Sequence, residues 1–278
     1  MNALNGKTLA RELMVGMKEK VSNMFRIPGL AIVLAGDDPA SHTYVRLKEQ
    51  TAGEVGIHFE KKIFPANVSA REVIEHIHSL NEREDIHGIV VQLPLPAGLP
   101  TDDIIASIAP EKDVDGFHPD NVRLVEEGRA QLMPSLIRSI MHLVESSRFE
   151  FAGKKAALIV NSKTFVQPLA AVLHQRGMTV DFALPPFTDK AHILAVADLV
   201  IVAVGKPGFI TGNELKDGVV LIDVGFTRGD DGRVHGDVDA ASVAARSGWV
   251  TPVPGGVGPM TVAMLLDNTV RACQIQNA

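Results

Sequence analysis

Short, almost uninterrupted apolar runs alternate with helix-length amphipathic stretches along this chain, and that alternation limits the folds open to it. Residues 29–35 (GLAIVLA), 57–64 (IHFEKKIF) and 87–93 (HGIVVQL) read as strands, with helices over 40–55 and 69–81 between them. The second helix opens at Ser69 with Glu72 three residues on. That spacing is a capping box, which satisfies amide groups orphaned at a helix start. Strand, helix and strand in succession imply parallel pairing with helical crossovers.

The pattern breaks over 94–120, where Pro94, Pro96, Pro100, Pro110 and Pro119 leave room for one short helix near 101–108. A longer helix is predicted at 134–147, with Pro134 suited to its first turn. A second alternating series follows: strand 155–161, helix 166–176, strand 179–184, helix 188–196, strand 198–204 and strand 218–224. The central strands of this series are apolar almost throughout, as expected of strands covered on both faces. A Pro/Gly-rich loop at 251–259 precedes a last helix over 260–274. The predicted fold class is α/β in two domains, residues 1–130 plus 262–278 and residues 131–261, with the last helix returning to the first domain.

Length and composition agree with this reading. At 278 residues the chain exceeds one average domain. Its 46% hydrophobic content supports substantial cores, and 22% charged residues is ordinary for a globular protein. The net charge of -6 is modest, and the longest basic runs are pairs such as Lys61-Lys62 and Lys154-Lys155. Without a basic stripe, a small molecule is the expected partner rather than a nucleic acid. The single Cys273 forms no intrachain disulfide, which fits a reducing compartment, and reads as a small buried hydrophobe. The first residues lack the apolar core of a signal peptide, and no apolar run reaches the roughly 18 residues of a membrane span. A cytoplasmic location without membrane partners is expected.

Three groups of residues could carry chemistry. Tyr44 and Lys48 lie four apart on a predicted helix and share a face just beyond a strand end, the edge where parallel sheets bind ligands. A lysine desolvated beside a ring can work as a proton carrier, although the spacing alone also suits an exposed lysine lying over a tyrosine. Gln92 ends the third strand and can hydrogen-bond a substrate or cap a turn. Asp113 and Asp115 share the loop 110–119 and can bind a metal, face the donors of a flat heterocycle or hold a turn. Metal binding is the weakest of these, because no histidine pair or third carboxylate completes a set.

Together these groups resemble the bifunctional methylenetetrahydrofolate dehydrogenase/cyclohydrolase family, over essentially the whole length. The resemblance is carried by Asp38-Pro39-Ala40-Ser41-x-x-Tyr44-Val45-x-x-Lys48, Gln92-Leu93-Pro94-Leu95-Pro96 and Lys112-Asp113-Val114-Asp115-Gly116-Phe117. It continues in Val204-Gly205-Lys206-Pro207-Gly208 and in the stretch from Thr251 to Thr261. It implies a Rossmann-like, doubly wound second domain and a homodimer. By resemblance, Lys48 is the catalytic lysine, Tyr44 stacks on folate, Gln92 orients Lys48 and Asp115 holds the pterin ring. Asp113, Pro254, Gly255, Gly256 and Thr261 complete the folate-binding set, and Val160, Asn161, Ser162, Gly205, Pro207, Gly225 and Phe226 the cofactor-binding set. The implied reaction oxidises 5,10-methylenetetrahydrofolate with a nicotinamide cofactor, NADP, and hydrolyses the methenyl product to 10-formyltetrahydrofolate, a step linked to purine biosynthesis.

The cofactor side departs from the family pattern. Where the family has Gly-Arg-Ser-x-x-Val-Gly-x-Pro, this chain has Val160-Asn161-Ser162-Lys163-Thr164-Phe165-Val166-Gln167-Pro168. Glycine permits close approach of backbone amides to phosphate, which branched valine is expected to block. The family's His-Ser-x-Thr becomes Leu184-Pro185-Pro186-Phe187, and its Pro-Cys-Thr-Pro-x-Gly becomes Pro134-Ser135-Leu136-Ile137-Arg138-Ser139. Three losses on one ligand predict NADP binding that is weak, altered or absent, with Lys163 as a replacement phosphate contact. Three readings follow: a bifunctional enzyme, a cyclohydrolase without NADP, and a catalytically silent folate binder.

Overall fold

The computed structural model describes residues 1–229 and 232–277. In chain order its first half carries β1 (Asn2–Ala3), α1 (Gly6–Ser22), β2 (Gly29–Ala35), α2 (Pro39–Val55), β3 (His58–Phe64), α3 (Ala70–Asn81), β4 (Gly88–Val91), α4 (Thr101–Ala106), α5 (Pro119–Glu126) and α6 (Ser135–Ser146). Next come β5 (Lys155–Val160), α7 (Lys163–Gln175), β6 (Thr179–Ala183), α8 (Lys190–Val196), β7 (Leu199–Ala203) and β8 (Val220–Asp223). The chain ends with β9 (Thr227–Arg228), β10 (Val234–His235), α9 (Ala240–Val243), β11 (Trp249–Val250) and α10 (Val257–Gln276). Two compact units divide it: Met1–Ala10, Val125–Arg129 and Leu136–Thr261 in one, and Arg11–Leu124, Ala130–Ser135 and the residues from Val262 on in the other.

The unit built on Arg11–Leu124 has a three-stranded parallel sheet in the order β3-β2-β4, with Leu30 opposite Gly88 and Val33 opposite Val91. All seven residues of β2 are buried. Because successive side chains in a strand point to opposite faces, Leu30, Ile32 and Leu34 pack into one core with Met17, Val45, Val262, Leu265 and Val270. Ala31, Val33 and Ala35 pack into a second core with Val73, Ile77, Leu80 and Ile104. The last helix therefore returns to this unit through its apolar residues from Val262 on. The expected capping box is present, with Ser69 Oγ accepting from Glu72 N and Ser69 N donating to Glu72 Oε2. Burial of Val73, Ile77 and Leu80 on one face fixes α3, each side chain contributing about 1.5–3 kcal/mol.

The other unit has a six-stranded sheet in the order β1-β11-β8-β7-β5-β6, with every pair parallel. From β5 the chain crosses through α7 to β6 on one side, then returns through α8 to β7 on the other side of β5. The connections thus diverge at the carboxyl ends of β5 and β7, the crevice where doubly wound sheets receive ligands. The helix α7 begins at Lys163, ahead of the predicted 166, because Ser162 caps it directly after β5. The two-residue strands β1 and β11 and the antiparallel β9–β10 pair carry too few residues for a period to be legible.

Candidate active site

Tyr44 and Lys48 project from α2, which starts beyond the carboxyl end of β2. Asp38 sets that start by accepting from both the amide and the hydroxyl of Ser41, at 2.8 and 2.7 Å. Gln92 follows β4 immediately, and its amide still donates to Val33 O at 2.8 Å, so the ladder carries it to the same edge. There Lys48 Nζ donates to Gln92 Oε1 at 3.0 Å, while Gln92 Nε2 donates to Leu93 O at 2.7 Å and fixes the side-chain amide. The ammonium also lies 5.5 Å from the centroid of the Tyr44 ring. Lys48 is only 6% exposed. Burial pulls its pKa below the ordinary lysine value, partly opposed by the negative charge of Asp115.

The two loop aspartates have different tasks. Asp113, 1% exposed, accepts from Gly116 N at 3.0 Å, His118 N at 2.7 Å and Asn121 Nδ2 at 3.0 Å. Burial pushes its carboxyl pKa up against those donors. Asp115 is partly exposed and receives the Ser135 hydroxyl at 2.6 Å. Lys112 turns away from the aspartates and donates to the carbonyl oxygens of Leu80, Asn81 and Arg83 at 3.3, 2.7 and 2.6 Å, closing the end of α3. Thus Tyr44, Lys48, Gln92, Asp113 and Asp115 come together in one unit.

Pro254, Gly255, Gly256 and Thr261 lie at the other unit's end. Lys7 N donates to Gly255 O at 2.9 Å, and a Cβ placed on Gly6 would fall within the carbonyl group of Gly256. The first turn of α1 is thereby packed against the Pro/Gly loop, a role for Gly6 that sequence spacing does not show. Gly6→Ala is expected to destabilise the protein by about 2 kcal/mol, the scale of overpacking. Wild-type melting in this variant would refute that packing role. Thr261 directs its hydroxyl at Val257 O and Gly258 O, at 3.1 and 2.7 Å.

At the crevice, Val160 and Val166 are 1% and 4% exposed. Their branched side chains are buried in the unit. Neither adopts the left-handed conformation that glycine would allow. Asn161 Nδ2 donates to Val204 O at 2.7 Å, joining the ends of β5 and β7. Ser162 Oγ accepts from Thr164 N at 3.2 Å, and Lys163 is exposed beside it. Asp237 accepts from Val204 N, Gly205 N and Lys206 N at 2.6, 3.1 and 2.7 Å and so sets the turn into Pro207. Asp223 accepts from Gly225, Asp237 and Val238 amides, and burial pushes its pKa up to about 6. Pro207, Gly208, Asp223 and Val253 border a pocket of about 630 Å³. Phe226 is exposed.

Residues 4–115 match the tetrahydrofolate dehydrogenase/cyclohydrolase catalytic domain, and residues 134–277 match the NAD(P)-binding domain of the same family. The bifunctional protein FolD of Nautilia profundicola is 41% identical over 277 residues, 99% of this chain and 98% of that protein. A solved structure of the bifunctional enzyme FolD from Campylobacter jejuni superposes with a TM-score of 0.94 at 38% identity, covering 99% of each chain. The chain belongs to the tetrahydrofolate dehydrogenase/cyclohydrolase family. A further family structure, from Trypanosoma brucei and complexed with NADP cofactor and inhibitor, has a TM-score of 0.92 at 33% identity, covering 98% of this chain and 97% of that one.

In this family member, sequence reasoning missed Asp237, Gly6 and Ser135. The run Gly236-Asp237-Val238-Asp239 held the only signal for Asp237, an acid between apolar positions near a glycine. No helix among the described residues is long and apolar enough to cross a membrane. Among those residues no cluster of three or more His, Cys, Asp or Glu side chains could hold a metal ion.

Proposed function

We propose that this chain interconverts one-carbon folates, oxidising 5,10-methylenetetrahydrofolate to the methenyl form and hydrolysing that to 10-formyltetrahydrofolate. The single observation that carries the reading is the buried Lys48 amine, 3.0 Å from Gln92 Oε1, in a chain that matches both family domains. Hydrolysis requires water to attack a cationic amidinium carbon and a ring nitrogen to be protonated as its C–N bond breaks. A lysine whose pKa is depressed by burial can accept the proton from water and return it to nitrogen. Gln92 keeps the amine in place, Tyr44 offers a ring face to the pterin, and Asp115 offers an acceptor to its donor edge. Asp113 shapes the loop that presents Asp115. Pro254, Gly255, Gly256 and Thr261 join the folate-binding set on family resemblance.

NADP is the proposed hydride acceptor. The residues present fit a dinucleotide: a helix start at the switch point, Ser162 capping it, exposed Lys163, and Gly205 at φ 66 in a turn held by Asp237. Asn161, Ser162, Gly205, Pro207, Gly225 and Phe226 would border it, with Val160 beneath. When bound, the nicotinamide supplies the hydride-accepting carbon. The Leu184-Pro185-Pro186-Phe187 segment offers it no side-chain hydroxyl or imidazole, so weaker affinity for NADP than in relatives with the intact loop belongs to the proposal.

Titrating NADP and NAD separately against thermal unfolding tests the cofactor arm. A ligand at a hundred times its Kd stabilises by about 2.7 kcal/mol, and NADP is expected to raise the melting temperature. No shift with either nucleotide at millimolar concentration, with methenyl hydrolysis intact, would replace the reading by that of a cyclohydrolase without NADP. Assembly as a homodimer, a cytoplasmic location and a supply of 10-formyl groups to purine biosynthesis complete the proposal. Sedimentation of the free protein measures the first.

A further inference from the structure

Ser135 opens α6 and is 3% exposed. Its hydroxyl donates to Asp115 Oδ1 at 2.6 Å, and its backbone amide donates to Asp115 O at 3.2 Å. One residue therefore grips Asp115 at both its main chain and its carboxylate. Asp115 in turn places negative charge near Lys48, whose proton affinity it raises against the effect of burial. A hydroxyl donor on Oδ1 fixes the carboxylate rotamer and offsets part of the charge that the lysine senses.

We infer that Ser135 is a positioning residue: its hydroxyl holds Asp115 so that Oδ2 remains the oxygen offered to folate, and so that Asp115 sits at a set distance from Lys48. The inference rests on the folate reading of this site. Two consequences separate it from a merely structural role at a helix start. Loss of the donor loosens the grip on the substrate ring, which raises KM. It also exposes Lys48 to the undiminished carboxylate charge, which moves the acidic limb of the hydrolysis pH profile upward. A residue that only caps or fills space has neither effect once the protein is folded.

The experiment compares methenyl hydrolysis by the full-length wild type, Ser135→Ala, Ser135→Val, Ser135→Thr and Lys48→Met, with thermal melts of each. Ser135→Val matches Ser135→Thr in shape but has no donor, so that pair decides the question if the alanine variant fails to fold. The expected result is a KM raised roughly tenfold in the alanine and valine variants, the scale of a lost hydrogen bond to a charged group. Their acidic limb is expected to move up by roughly half a pH unit, and Ser135→Thr to retain wild-type KM and profile. The same KM and pH profile in folded Ser135→Val and Ser135→Thr, with Lys48→Met inactive, would overturn this inference alone. Undiminished hydrolysis by Lys48→Met would instead overturn the underlying folate-site reading.

Discussion

Lys48→Met is expected to abolish most methenyl hydrolysis while leaving the protein at least as stable as the wild type at neutral pH. The activity loss follows from removing the proposed proton carrier, an effect of about 10²–10⁴ in rate. The stability expectation has a separate source. A lysine whose pKa is lowered in the folded state is bound to fewer protons there than in the unfolded chain, between its lowered value and the ordinary lysine value. Folding stability therefore rises with pH across that window, and the burial penalty is fully present below it. Methionine has similar length and no charge to desolvate, so it relieves the penalty. Initial rates over pH 6–9 and thermal melts of both proteins check the two halves. In the wild type the rate should climb with pH as Lys48 loses its proton and then level off. A Lys48→Met protein that hydrolyses at the wild-type rate would refute the assignment, and one that is less stable at neutral pH would refute the account of its burial.

Asp113→Ala is expected to cost about 3 kcal/mol of stability, among the larger effects of a single substitution here. The reason is asymmetry. Alanine removes the carboxylate but leaves the amides of Gly116 and His118 and the side-chain amide of Asn121 in a buried loop without their acceptor. Asp113→Asn keeps one acceptor oxygen and should lose less. Urea unfolding of the three proteins measures the order, and folate affinity should fall with it because the same loop carries Asp115. Equal stability of the alanine variant and the wild type would show that water replaces the carboxylate.

The sequence made the parallel sheets legible because apolar runs such as GLAIVLA and KAALIVN bury both faces and need no partner to be recognised. It also exposed Lys48 and Gln92, since Gln92 directly follows β4 and Lys48 lies on the helix that leaves β2. What it hid was of another kind. Nothing in the spacing distinguishes Asp113, turned into its own loop, from Asp115, which remains open to a ligand; the difference comes from three donors brought up by the chain that follows. Lys112 stands inside the same motif yet closes α3, 31 and 32 residues away in sequence at Asn81 and Leu80. The valines at 160 and 166 are legible as replacements for glycine, but residue type alone does not show that both are buried. Ser135 and Gly6 act through contacts remote in sequence, with Asp115 and Gly256, which no local pattern encodes.

The three amides that Asp237 gathers at Val204, Gly205 and Lys206 bear on kinetics as well as on shape. A turn held in this way before any nucleotide arrives has little backbone freedom left to lose on encounter. Association of a dinucleotide with this turn should then proceed without a slow ordering phase, in a single exponential whose rate grows linearly with concentration. Differences in affinity among nucleotides would appear chiefly as differences in how long each one stays.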